Sequence, residues 1–451
     1  MKLANEIERA IKHINANTAV SDKVDDAKIA ALTTQTIADL ENRNYDFTNY
    51  DMLVLKQGTK KRRVMLYKPF STENILCRYI KNILDRQFKV KYPNRNKAIH
   101  TLFDFLKATK QMSEFTVIKF DFKDYFNSVS SSYVFEKYIR RQMGDRSESE
   151  LIDTFSNQTK YAYAGLSTSN LLSEIIALEF DEQIRQAFSR YRLLYFQRYI
   201  DDTIIILNQH LEQPECDKIL NDALQNVFYD KSVLTSYLCK TKLNSTKYKI
   251  VTRRSISSTS ASPVDFLGYE FFFKKDAKNK TEIQYGLTAE KRDKYNSRVD
   301  EIVDDFIKNS DLELLRHRIA AFSTRTVYVS KRYKSDVWKT KGFINNYGEL
   351  RYLIGTDLLH PDTELFLKNM IEDAFTRSAI PLPYFLKRAI DQRGYNLLKN
   401  MEANKTILLV EHIGYDKTGL EKLCSQIGIG YIGKGYGSLV REYLIKTKVG
   451  Y

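Results

Sequence analysis

The stretch YFQRYIDDTIIIL, Tyr195 to Leu207, decides how this chain is read. Two adjacent aspartates, Asp201 and Asp202, sit between runs of aromatic and β-branched residues. Those runs predict two strands, and the acidic pair falls where a tight turn would join them. Burying carboxylates beside Ile and Leu costs on the order of several kcal/mol per charge unless something pairs with them. A divalent cation is the natural partner, because Mg2+ prefers hard oxygen ligands and takes one or two carboxylates, with phosphates and water completing its shell. A two-metal site for nucleotidyl transfer also needs a carboxylate from another strand. Asp121 is the candidate: it closes the apolar strand of VIKFDFKDYF and is followed by aromatics. A solvated turn is the plain alternative for an Asp-Asp pair.

Composition narrows the class. At 451 residues the chain can hold two or three domains, and 43% hydrophobic residues make it globular. Lys and Arg outnumber Asp and Glu by 71 to 56, a net +15, an excess that favours a polyanionic partner such as nucleic acid, with a basic but solvated surface as the plain alternative that composition leaves open. The first residues, MKLANEIERAIKHINANTAV, lack the apolar core of a signal peptide, and no apolar run reaches the roughly 18 residues of a spanning helix. Cys77, Cys216, Cys239 and Cys424 lie far apart without CxxC spacing. They read as reduced thiols of a cytoplasmic protein with no membrane partner. The 30 tyrosines supply rings that could stack on bases, although most will pack in a core.

Periodicity then places the motifs. Residues 1 to about 45 read as amphipathic helix, and Met52–Phe70 as strand, turn at Gly58, strand, with Lys60, Lys61, Arg62 and Arg63 at the turn. Ser71 or Thr72 would cap the following helix, with Glu73 in its first turn. FTVIKFDFKDYFNSV is a strand ending in a polar-aromatic turn, and a helix of about 20 residues begins at TSNLLSEII. After the 195–207 hairpin comes a further helix, DKILNDALQNVFYD, and VDFLGYEFFF reads as one short strand with Gly268 inside it. Beyond about residue 285 the pattern is largely helical and basic.

Taken together, these segments resemble the reverse transcriptases. YIDD at 199–202 looks like the family's YxDD, and DFKDYFNSV at 121–129 like its preceding aspartate motif, with Phe122 in the aliphatic place. AGLSTSNLLSEIIALEFDEQI at 164–184 follows the family's QGxPxSPxLSNxxxxxLD pattern. LNSTKYKI at 243–250 resembles its L-N-x-x-K-T-x-I segment, and FLGYEF at 266–271 its primer grip. KKRRVMLYKP and YPNRNKAIHTL resemble the fingers segments. The motifs stand in family order across roughly residues 50–275.

The resemblance implies an α+β fold: a right-hand polymerase with fingers, a palm built on an antiparallel sheet, then a mainly helical thumb and C-terminal extension. The boundaries it suggests are 1–50 for an N-terminal helical segment, 51–120 for fingers and the start of the palm, 121–275 for the palm, 276–345 for the thumb and 346–451 for the extension. Asp121, Asp201 and Asp202 would hold two Mg2+ ions, with Mn2+ as an alternative, and the carbonyl of Phe122 would be a further ligand. Phe126 matches the sugar gate that favours dNTPs over rNTPs, with Tyr125 beside it. Arg63 and Lys61 would grip the triphosphate, Gly165 would lie near the incoming nucleotide, and Lys247 would anchor phosphate or act as a general acid. Arg95, Tyr199, Ser169 and Gly268 would touch template or primer, and a bulge is the plain reading of Gly268.

Departures point to a subgroup. Ala164 replaces the family's Gln, and Ser167 and Asn170 replace its prolines. These departures set it apart from retroviral, group II intron and typical retron enzymes, and within the wider retron, abortive-infection and defence-associated group the chain is similar to the divergent abortive-infection and defence-associated reverse transcriptases of bacteria. That likeness implies antiphage defence, a non-coding RNA or RNA template, dNTPs, a DNA product, and either a second copy or a partner polymerase subunit. Leu314–Lys334, dense in cations and carrying Tyr328 and Tyr333, reads as a backbone-binding surface or a solvated helix. Tyr431, Tyr436 and Tyr451 could offer hydroxyls as protein primers, although packing is the plainer role. Untemplated or protein-primed synthesis by the same site, RNA synthesis, and an inactive RNA-binding scaffold remain open at this point.

Overall fold

Amphipathic spacing at the N-terminus produces α1 (Lys2–Asn17) and α2 (Asp26–Glu41), the latter capped by Asp25, whose side chain accepts from the Lys28 amide. A computed structural model describes residues 2–18, 22–57, 60–332, 335–387 and 396–448, without the side chains of 56, 57, 60, 61, 331, 332 and 335. The expectations placed on Gly58, on the Lys60 and Lys61 side chains, on Tyr333 and on Tyr451 therefore lie outside the described residues.

The chain divides into two units, residues 1–95 with 111–255 and residues 96–110 with 256–451. In the first unit β1 (Asp51–Gln57) and β2 (Lys60–Leu66) form an antiparallel hairpin. Ser71 caps α3 (Thr72–Phe88), accepting from the Asn74 amide at 3.2 Å. α4 (Arg95–Ala108) belongs from residue 96 to the second unit; after it β3 (Thr116–Asp121) returns to the first with all six residues buried. Short turns α5 (Tyr125–Ser128) and α6 (Ser131–Val134) and helix α7 (Arg146–Thr159) lead to α8 (Ser169–Ser189). The quoted stretch folds as β4 (Leu193–Tyr199) and β5 (Asp202–Leu207); α9 (Gln213–Phe228) and β6 (Lys249–Thr252) complete the unit.

The four strands order as β4-β5-β3-β6, with every recorded pairing antiparallel. Alternation along β3 explains its composition. Phe120 faces Phe180 of α8, and Phe122 packs against Phe180 and Phe228, so one face of the sheet carries helices α8 and α9. Lys119 and Asp121 point to the opposite face, two residues apart.

The second unit begins with a correction to the sequence reading. VDFLGYEFFF is two strands, β7 (Ser262–Phe266) and β8 (Tyr269–Lys275), joined by Leu267 and Gly268 at φ 52° and 85°. Two consecutive positive φ values make a tight hairpin turn, so Gly268 is a turn residue and neither a bulge nor part of a strand. A Cβ there would come within 2.9 Å of the Lys291 side chain and the Tyr347 hydroxyl. β9 (Thr281–Leu287) closes that sheet, followed by α10 (Ala289–Asn309) and α11 (Leu312–Phe322).

The region read as helical also holds three strands. Helix gives way after Phe322 to β10 (Arg325–Arg332), whose run of Thr, Val, Tyr and Val suits a pleated surface. β10 pairs antiparallel with β11 (Ser335–Lys341). Beyond α12 (Phe343–Asn346), α13 (Pro361–Arg377) and α14 (Leu397–Glu402), β12 (Thr406–Leu409) pairs in parallel with β10. α15 (Lys417–Gln426) and α16 (Tyr436–Lys446) pack with Tyr328 and Leu314 in one buried cluster. Tyr436 donates its hydroxyl to the Tyr415 carbonyl at 2.7 Å, a packing role, while Tyr431 is exposed.

Candidate active site

Register brings the three aspartates to one end of the β4-β5-β3-β6 sheet. Asp121 on β3 is the cross-strand partner of Asp202 on β5, and the Phe122 amide donates to the Asp201 carbonyl at 3.3 Å. Asp202 in turn pairs with Tyr199 of β4. Because directly paired residues share a face, Asp121, Asp202 and Tyr199 lie together with Lys119, which is 1% exposed.

Two lysines occupy this acidic end. Lys119 Nζ stands 3.3 Å from Asp202 Oδ1, and Lys247, from a turn at 245–247, donates to Asp121 Oδ2. Burial works against the Lys247 charge, but the Asp121 hydrogen bond and the neighbouring Asp121, Asp202 and Asp201 charges win, raising its pKa. Asp201 is also pushed up, first by burial and then by the Asp121 charge, against the pull of Lys247 and Arg62. Asp121 Oδ1 is buried and has no hydrogen-bond partner among the described residues.

That orphaned oxygen and the desolvated Asp201 suit a hard divalent cation, which shares its shell with phosphates and water. Among the described residues, no three His, Cys, Asp or Glu side chains close a metal cage on their own. The site as built therefore needs outside oxygens to complete a shell.

The turn that presents Asp201 is held from below by groups the sequence reading missed. Ile200 has φ 62°, which a β-branched residue adopts at a cost of about 1–2 kcal/mol. Arg198, buried on the helix face, spends all five guanidinium hydrogens. It bonds Asp181 at 2.7 and 3.0 Å, Glu174 at 3.0 and 2.7 Å, and the Ile200 carbonyl at 2.8 Å. Glu174 and Asp181 come from α8, so this helix is bolted to the aspartate turn. Burial is the first influence on both charges: it pushes Asp181 up even against Arg198, whereas for Arg198 the two carboxylates outweigh it and raise the pKa. A buried cation three residues before an acidic turn, with carboxylates at helical spacing i, i+7, was the available signal.

The aromatic pair after Asp121 divides its work. Tyr125 is buried, stacks on Phe122 at 4.8 Å and donates to the Ser173 carbonyl at 2.9 Å. Phe126 is half-buried, with the Arg62 guanidinium 5.9 Å from its ring centre. Arg62 rather than Arg63 is the cation turned toward this site, since neighbours on a strand point to opposite faces. Gly165 has φ 106° and lies beneath β2, where the Met65 amide donates to the Ala164 carbonyl at 2.8 Å. The Ser169 hydroxyl is buried and spent on the Tyr163 and Leu166 carbonyls, which leaves it no hydrogen to offer nucleic acid. Arg95 opens α4, and Gly268 lies in the other unit.

Residues 54–271 match the family described as reverse transcriptase (RNA-dependent DNA polymerase). This chain carries a reverse transcriptase domain. It is by that an RNA-directed DNA polymerase, a nucleotidyltransferase, and the antiparallel sheet bearing the aspartates fits the palm of such an enzyme. No curated protein matches the chain. Among the described residues no helix is long and apolar enough to cross a membrane.

Proposed function

We propose that Asp121, Asp201 and Asp202 hold two Mg2+ ions and that this reverse transcriptase adds dNTPs to a primer at that point. The observation that carries the reading is the register pairing of Asp121 with Asp202, with Asp201 tied to the backbone of Phe122. When bound, the ions would lower the cost of forming the attacking 3′-oxyanion and neutralise charge on the departing pyrophosphate. The primer oxygen forms a bond to the α-phosphorus as the bond to pyrophosphate breaks. The chain's own groups orient these partners. The Phe122 carbonyl is the remaining candidate ligand, Lys247 stays protonated to meet phosphate, and Arg62 in the fingers hairpin faces the triphosphate.

Phe126 is the gate in this reading, because Tyr125 is committed to the core and only Phe126 remains half-exposed. A ring there excludes a ribose 2′-hydroxyl and favours dNTPs. The subgroup proposal, bacterial antiphage defence with a non-coding RNA, rests on Ala164, Ser167 and Asn170, which alter the segment beneath β2. The four buried free cysteines agree with a reducing cytoplasm.

The test is incorporation of labelled dNTPs by the full chain with RNA template and primer, beside Asp201→Asn with Asp202→Asn. Loss of incorporation with unchanged folding is the expected result; undiminished incorporation by the double variant overturns the site. Label entering from single dNTPs without added nucleic acid would replace templated by untemplated or protein-primed synthesis.

A further inference from the structure

The chain has a single tryptophan, Trp338, and it is 55% exposed on the edge strand β11. Its indole has no hydrogen-bond or ring partner among the described residues. Leaving the largest apolar side chain in water at a sheet edge forgoes burial that would stabilise the fold. Pairing and alternation show what shares its face. Trp338 is the partner of Val329, and Thr340 of Val327, so these four lie together, with Arg325 next along β10. Tyr328 points the other way, into the helical cluster.

At the Arg325 end of this face lies a cavity of about 140 Å3, whose lining includes Arg325, Asn345, Arg351, Asn404 and Asn96. One water needs only ~10–15 Å3, so a phosphate with bound water fits. Neither guanidinium has a carboxylate partner among the described residues: Arg325 donates to Thr406 Oγ1 at 3.2 Å, and Arg351 lies 4.4 Å from the Tyr352 ring centre. The acidic residue in the lining, Glu349, is already matched by His100 at 2.9 Å. Tyr352 itself is 57% exposed. From Arg325 to the level of Trp338 the strand runs four residues, ~13 Å. The face thus offers cations without carboxylate partners, Arg351 donating to the Tyr352 hydroxyl, and donor amides at one end and an open ring at the other. That is the arrangement that tracks a phosphate backbone and stacks its bases.

We infer that this face of the β11-β10-β12 sheet is a second nucleic-acid site that takes single-stranded RNA. Phosphate would sit between Arg325 and Arg351, and a base would stack on Trp338. A single strand is required because a duplex hides its base faces, and RNA is the strand that a reverse transcriptase is supplied with. The site belongs to the second unit and does not depend on the chemistry of the aspartates.

Emission excited selectively at tryptophan reports Trp338 alone, which makes the test direct. The full chain, in chelator to stop synthesis, is titrated with short oligouridylate, the same deoxy strand, and an RNA duplex. Quenching of the tryptophan by the single-stranded RNA is expected, at least as strong as with the deoxy strand and stronger than with duplex. Arg325→Ala and Arg351→Ala should each weaken the titration about three- to tenfold and lower its salt dependence. By anisotropy of labelled RNA, Trp338→Ala should weaken binding about fivefold or more, with Trp338→Phe restoring it. Emission that does not respond to RNA overturns the proposal, as do arginine variants that titrate like the parent. A stronger response to DNA or duplex overturns the assignment to single-stranded RNA.

Discussion

The Arg198 guanidinium donates to the carbonyl of Ile200, two residues along the chain, at 2.8 Å. Arg198 touches no reacting atom in this arrangement; it is a positioning residue that holds a strained turn through a buried network with Glu174 and Asp181. Arg198→Lys keeps a charge but loses the fork. It should destabilise the fold by about 3 kcal/mol, because a buried carboxylate is left short of partners. It should also lower kcat with KM for dNTP unchanged. Replacing Ile200 by Gly in that background should recover part of kcat, since glycine takes positive φ freely. Failure of the glycine to rescue, in steady-state kinetics, would mean that Arg198 does not act through the turn.

Lys119 supplies a positive charge where a cation would otherwise be needed beside Asp202. Lys119→Met should cost about 3–5 kcal/mol in metal-free buffer, the effect of stripping one partner from a buried pair. Mg2+ should return more stability to this variant than to the parent. Thermal melts with and without Mg2+ decide it: equal Mg2+ shifts in both proteins would sink the idea.

A Cβ on Gly165 would come within 2.4 Å of the Met65 carbonyl oxygen, and the residue's φ of 106° disfavours any side chain. Gly165→Ala should therefore push the β1–β2 hairpin off its seat. The expected loss is about 1–3 kcal/mol by urea unfolding, with a raised KM for dNTP. Parental values for both would show that the hairpin seat tolerates the methyl group.

Phe126→Ala should admit ribonucleotides. The ratio of kcat/KM for dNTP over rNTP should fall at least about tenfold, the scale of a single steric contact. An unchanged ratio, measured with each substrate separately, would move the gate elsewhere.

Acid should loosen the C-terminal cluster through His317. Its ring nitrogens meet the Tyr443 hydroxyl at 3.0 Å and Gln426 Oε1 at 3.1 Å, and burial holds its pKa below the usual histidine value. A depressed folded pKa means the stabilisation is complete above the unfolded value, ~6.5, and is lost as pH falls through the folded one. Melting curves should decline over that window in the parent and decline less in His317→Gln, with His360, also shifted down, common to both. Superimposable pH profiles would remove His317 from the account.

Local chemistry was enough to find the strands around Asp201 and Asp202, the strand ending at Asp121, the α8 helix and the Ser71 cap, because each follows from side-chain period, turn preference or capping within a few neighbours. The order of the aspartate motifs along the chain was equally legible. What the sequence could not reveal is which residues meet across distance. Only the register of β3 on β5 sets Asp121 opposite Asp202 and turns Lys119 toward it, and a slip of one residue would have sent that lysine into the helix face. Only packing of α8 under β4 makes Arg198 a brace. The strands β10 and β11, hidden in a basic run that reads as helix, needed β12, some 70 residues later in the chain, to complete their sheet. Pairing energy of that kind is non-local, so no window of sequence contains it.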